Sequence, residues 1–101
     1  MTKYNLARLA RLDLDEIWLH LARERGTAVA DRVLAPITRA FPLLARMPEL
    51  GRARPEVDLG LRSFPVGTYM IYYQRRQRGG IVISRVLHAV RNLEDAWTEE
   101  R

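Results

Sequence analysis

Arg85, His88 and Arg91 follow one another at intervals of three near the end of the chain, and Arg62 lies upstream in an apolar stretch. A histidine ringed by guanidinium groups can move a proton while the arginines hold a phosphate, as phosphodiester cleavage requires. The same side chains can equally form the polar end of a strand that meets a partner. The residues alone leave both readings open. Nothing else in the chain offers a self-sufficient catalytic motif: there is no Gly-rich phosphate loop, HExxH or paired-carboxylate arrangement. Ser63 and Ser84 lie in strand-like sequence without a nucleophile elbow. His20 falls near the polar side of a helical pattern and reads as structural. Asp13, Asp15 and Glu16 read as a solvated helix face, so no metal site and no cofactor are expected.

The elements that carry these residues show in the hydrophobic periodicity. From Leu59 to Arg91 the period is two. Leu61 to Phe64 reads as a strand, Pro65-Val66-Gly67 as a turn, and Thr68 to Gln74 as a second strand rich in aromatic and β-branched residues. Gln77-Arg78-Gly79-Gly80 closes a hairpin onto a third strand, Ile81 to His88. Both faces of that last strand are partly apolar. With one face on helices, the other is expected to be a binding surface or to be covered by the tail or a second subunit.

Upstream the period is helical. Thr2 to Leu6 reads as a short opening strand with Tyr4 and Leu6 on one face. A helix then runs to about Arg25, with Ala10, Leu14, Ile17 and Leu21 in its stripe and Trp18 and Ala22 widening it. Its acids come first and Arg23 and Arg25 last, which complements the helix dipole. Gly26 stops it, and Thr27 is the expected N-cap of a second helix. That helix carries Ala30, Val33, Leu34, Ile37, Phe41 and Leu44. Pro36 and Pro42 each remove a backbone donor, but the apolar period survives both, so a kinked continuous path is expected. One residue between two amphipathic helices implies an antiparallel helical hairpin. Pro48, Gly51 and Pro55 mark a loop made basic by Arg52 and Arg54.

With 101 residues, one domain is expected. Cysteine is absent, 48% of residues are hydrophobic and 29% charged, and no apolar run approaches the ~20 residues of a membrane span. The N-terminal residues lack an apolar signal core, so a cytoplasmic protein without membrane association is expected. The net charge of +5 rests on sixteen arginines and a single lysine, Lys3. Guanidinium groups suit carboxylate or phosphate, so an acidic partner is favoured.

Tyr4-x-Leu6, Ala10, Asp13-Leu14 and Ile17-Trp18 resemble the opening of ParE toxins of the RelE/ParE superfamily. Phe41 to Leu44, Pro48 and Gly51-Arg52 are similar to the exit of their second helix. Gly60-Leu61-Arg62-Ser63-Phe64-Pro65-Val66-Gly67, then Tyr69, Ile71, Tyr73, Arg85-Val86-Leu87-His88 and Arg91, extend the likeness to residues 4–91. The resemblance implies an α+β fold of βααβββ order, a helical hairpin on a mainly antiparallel sheet. Residues 1–91 would form the toxin-like domain and residues 92–101 a polar tail.

It also implies a toxin of a type II toxin–antitoxin system, held by a ParD-like antitoxin in a hetero-oligomer and inhibiting DNA gyrase. The alternative is a RelE-like endoribonuclease acting on mRNA at the ribosome. RelE-type nucleases place lysines or arginines where this chain has Gly60, Arg62 and Tyr69. Losing one such contact to the transition-state phosphate typically costs about 10²–10³ in rate. The gyrase-directed branch is therefore favoured, with no catalytic residues and no direct nucleic-acid binding by the toxin alone. Were the chain a nuclease, Arg62, Arg85, His88 and Arg91 would carry it. The implied target-binding residues are Arg62, Phe64, Tyr69, Tyr73, Arg85, His88 and Arg91, and the implied antitoxin-binding residues are Trp18, Leu21, Ile37 and Phe41. The family often has a serine cap where this chain has Ala7.

Overall fold

The computed structural model describes residues 3–90. In chain order the elements are β1 (Tyr4–Leu6), α1 (Arg8–Arg25), α2 (Thr27–Arg46), β2 (Arg52–Ala53), β3 (Arg62–Val66), β4 (Tyr69–Arg75) and β5 (Ile81–His88). A turn of 3-10 helix, Pro48–Leu50, precedes β2. The five strands lie in the order β1-β5-β4-β3-β2, with β1 parallel to β5 and the other pairs antiparallel. A parallel neighbour needs a long crossover, and the helical hairpin begins the chain's return. This is the expected α+β architecture of two helices on a mainly antiparallel sheet, with one strand added. The added strand, β2, lies in the stretch expected to be a basic loop, and its two residues are too few to show an alternation. Of the expected Thr2–Leu6 strand, Thr2 lies outside the described residues, as do Arg91 and the polar tail.

The first helix ends where glycine allows, and the second at Met47. Gly26 has φ of +97°, a backbone that side chains rarely adopt, and serves as both C-cap of α1 and N-cap of α2. Thr27 is thus the first helical residue and not the cap: its side chain makes no capping bond. α2 continues through Pro36 and Pro42 as one helix. Packing overrides the lost donors, because Ala30, Ile37, Ala40, Phe41, Leu44 and Ala45 are all buried along it. All of them but Ala30 meet Ala10 from α1 and Ile71, Tyr73, Ile81, Ile83 and Val86 from the sheet in one core. Among the described residues, no helix is long and apolar enough to cross a membrane.

Pro65 and Val66, expected in a turn, belong to β3. β2 pairs only with Arg62 and Ser63, so Pro65 sits where β3 has an open edge and a missing donor is tolerated. The tight turn is instead Gly67-Thr68, with Gly67 at φ +59°. β4 is shifted by one residue from its expected Thr68–Gln74, and β5 matches its expected bounds.

The second face of the sheet is partly covered from within the chain. Leu61, Tyr72 and Leu87 are buried in a separate cluster, with Val57 and Met70 packed on it. The loop between β2 and β3 supplies Val57 and Leu61, neither of which was expected to do so. It is braced by Leu61 N donating to Asp58 O (3.2 Å), Arg54 N donating to Leu61 O (2.8 Å) and Gln74 Nε2 donating to Leu59 O (3.1 Å).

Candidate functional site

Two of the arginines that suggest phosphate chemistry are committed to the fold. Arg85 is 5% exposed and Asp13 7%. The guanidinium donates from Nε to Asp13 Oδ2 at 2.8 Å and from an Nη to Oδ1 at 2.9 Å, while the Val86 amide donates to Oδ2 at 2.9 Å. The expectation that Asp13 lies on a solvated face therefore fails: it faces β5 and ties α1 to the sheet. The register of β4 on β5 slips between Tyr72 and Tyr73, where Ile83 and Arg85 face successive β4 residues. Beyond the slip Val86 pairs with Ile71 and joins the core under the helices, where its amide meets the same Asp13 carboxylate as the Arg85 guanidinium. Asp13 lies three residues after buried Ala10, a spacing that could have marked it as inward-facing.

Arg62 is half-buried and donates to Gly51 O at 2.6 Å and Glu49 O at 3.5 Å. Beside it, Tyr73 is fully buried. Its hydroxyl donates to Pro48 O and accepts from Gly51 N, each at 2.7 Å. Together Arg62 and Tyr73 satisfy the backbone groups of the 48–51 turn that follows α2. Gly51 has to be glycine for space: a Cβ there would sit 2.7 Å from Tyr73 Cε1. Tyr73 is thus a core residue and not a contact surface, and burial raises its hydroxyl above the usual tyrosine pKa. Tyr72, on the second face, is raised for the same reason, with Arg54 opposing. Arg54 itself is raised by its hydrogen bond to Glu56 (2.8 Å), which in turn lowers Glu56.

Tyr69 and His88 remain together at the open end of β4 and β5. They pair across the two strands, with ring centroids 5.4 Å apart at 75°, edge to face. His88 is exposed, and its Nδ1 accepts from the Val90 amide at 3.3 Å, which places the proton on Nε2 in the neutral ring. Glu16, Ile17 and His20 from α1 complete a shallow groove of about 280 Å³ with them. His20 lines this groove, a placement that reading it as structural missed. Phe64 is half-buried and packs on the main core, pairing with Ile71. Arg91 lies outside the described residues. Arg62, Arg85 and His88 therefore do not form one reactive cluster: two guanidiniums hold backbone and carboxylate, and the imidazole faces an aromatic ring. Among the described residues no group of three or more His, Asp or Glu is placed to hold a metal.

Of the residues implied for antitoxin contact, Ile37 and Phe41 are each 1% exposed and belong to the core. Neither presents a side chain for a partner. Trp18 is half-buried and donates from Nε1 to Asp31 Oδ1 at 2.8 Å, clasping α1 to α2, and Leu21 is also half-buried. Among the described residues, the large apolar side chains that reach the surface include Leu12 and Leu19 on α1 and Met47 and Leu50 just past α2, besides Tyr4, Leu59 and Val90 elsewhere.

Residues 4–93 match the family model described as "ParE toxin of type II toxin-antitoxin system, parDE". The chain belongs to the ParE toxin family. Toxin ParE1 of Mycobacterium tuberculosis is 31% identical over 86% of this chain and 89% of its own length. Toxin ParE3 of Caulobacter vibrioides is 35% identical over 80% of each chain. Among solved structures, the chromosomal ParDE system from P. aeruginosa shares the fold at a TM-score of 0.75 and 22% identity, covering 87% of this chain and 96% of that one. The RelBE2 toxin–antitoxin complex of M. tuberculosis is similar at a TM-score of 0.59 and 26% identity, covering 86% and 96%. In this ParE-type toxin, Gly60 sits in the loop before β3 at φ +77°, and Tyr69 opens β4 against His88. Neither brings a cation to the sheet.

Proposed function

We propose that this ParE-type toxin is neutralised by a ParD-like antitoxin and, when free, inhibits DNA gyrase in the bacterial cytoplasm. The observation that carries the reading is the commitment of Arg62 and Arg85 to Gly51 O and Asp13. Phosphoryl chemistry needs preorganised cations aimed at a developing charge. Here the candidates are turned inward, and Gly60 and Tyr69 supply none. The open end of the sheet, with Tyr69, His88 and half-buried Phe64, then serves as a protein-contact surface. Leu12 and Leu19 support an antitoxin laid along α1, with Trp18 and Leu21 at the flank of that contact. Solved neighbours that are toxin–antitoxin complexes support such a partner. The test is expression in cells. The toxin alone should arrest growth with relaxed plasmid DNA and intact messages, and a co-expressed antitoxin should restore both growth and supercoiling. Arrest with truncated messages and normally supercoiled plasmid would support the ribonuclease branch instead.

A further inference from the structure

The β4–β5 hairpin gathers positive charge from Arg76 and Arg78 at one corner of the sheet, away from the 48–51 turn and the Asp13 bond. Arg75 ends β4, and Arg76 and Arg78 stand on the turn, where Arg76 N donates to Gly80 O at 3.0 Å and Gly79 N to Arg76 O at 3.1 Å. Lys3 is brought alongside because Ile81 N donates to its carbonyl at 3.0 Å. Gly80 makes that approach possible: at φ +78°, a Cβ there would lie 2.5 Å from Lys3 O. Lys3, Asn5, Arg76 and Arg78 border a shallow cleft of about 310 Å³ whose floor is the Gly79 backbone and Ile81. Among the described residues, Lys3, Arg76 and Arg78 enter no ion pair. Glu49 reaches only Arg75, at 3.1 Å, with both side chains largely in solvent, where such a pair is weak.

We propose that this corner binds the phosphate backbone of duplex DNA, a contact made by the toxin itself, against the expectation from sequence that the toxin alone does not bind nucleic acid. Exposed arginines around a polar, glycine-floored cleft fit phosphate oxygens, and an interface of this kind works without base readout. A docked polypeptide needs apolar anchors at its centre, and this corner has none: Ile81 is fully buried. The contact does not depend on gyrase being the target, because it requires only toxin and DNA.

The test is fluorescence anisotropy of a short random-sequence duplex with purified toxin over a range of salt concentrations. Binding should weaken with salt at a slope of about 0.9 per phosphate contact. The Arg76→Gln/Arg78→Gln variant should bind ~10-fold or more weaker at low salt with a slope smaller by about two. Arg39→Gln, on exposed α2 surface, should bind as the parent does, and circular dichroism should show all three folded. Equal binding by the double variant, or binding insensitive to salt, would overturn the proposal. So would polyglutamate that displaces DNA at matched charge, since the corner would then be a seat for acidic polypeptide.

Discussion

Asp13 and Arg85, 72 residues apart in sequence, form a buried two-point ion pair whose carboxylate also accepts the Val86 amide. Burying two charges is costly in itself, so the pair specifies how α1 docks on β5 more than it adds net stability. Removing one partner is a different matter. Asp13→Ala takes the carboxylate away from a buried guanidinium and from the Val86 amide and should lower stability by about 3–5 kcal/mol. Asp13→Leu with Arg85→Met should recover most of that loss, but not the cost of the orphaned Val86 amide, about 1–3 kcal/mol. Urea unfolding of the single and double variants measures both.

Tyr73→Phe removes one hydroxyl that serves two backbone groups of the 48–51 turn. The ring stays, so no large cavity forms, and the expected loss is ~1–3 kcal/mol from the unpaired Gly51 amide and Pro48 carbonyl. Hydrogen exchange should rise at Gly51 while the amides of β5 stay protected.

The sequence carried the helical hairpin and the last strand because their periodicity is long and sustained. Ala10, Ile37, Phe41 and Leu44 all face the core as their spacing requires. β2 and the cover supplied by Val57 and Leu61 did not show, since both depend on a loop whose path is set by tertiary contacts. The same limit applies to the candidate site. Arg62, Arg85 and Tyr73 were picked as functional by residue type, but type does not reveal whether a guanidinium or phenol points at solvent or at a buried acceptor. His88 stands at the end of the last strand as its position in the sequence suggests, whereas its cross-strand neighbour Tyr69 and the groove residue His20 come from other elements and are not legible beside it.

Ala7 is the N-cap of α1, with extended backbone at φ −65° and ψ 156° and no side-chain acceptor for the first-turn amides. Ala7→Ser should therefore stabilise the toxin by ~0.5–2 kcal/mol, seen as a higher denaturation midpoint with an unchanged m-value.

Alkaline pH should destabilise the fold through Tyr72 and Tyr73. Burial raises both hydroxyls above the ordinary 10.0, so the folded state favours the neutral phenols. Their contribution is complete below the unfolded value and is lost as pH climbs from about 10 through the raised folded values. In Tyr72→Phe that decline should be shallower, as read from thermal midpoints across the alkaline range.

The central claim is that this toxin acts on gyrase and not by cutting message, and one paired titration addresses it. Purified toxin is added to a gyrase supercoiling reaction and, at the same concentrations, to a translating extract carrying a defined mRNA. Loss of supercoiling at concentrations that leave the message full length is the expected result. Message cut at those concentrations while gyrase supercoils normally would contradict it, and abolition of that cutting by His88→Ala would move the chemistry back to the sheet's open end.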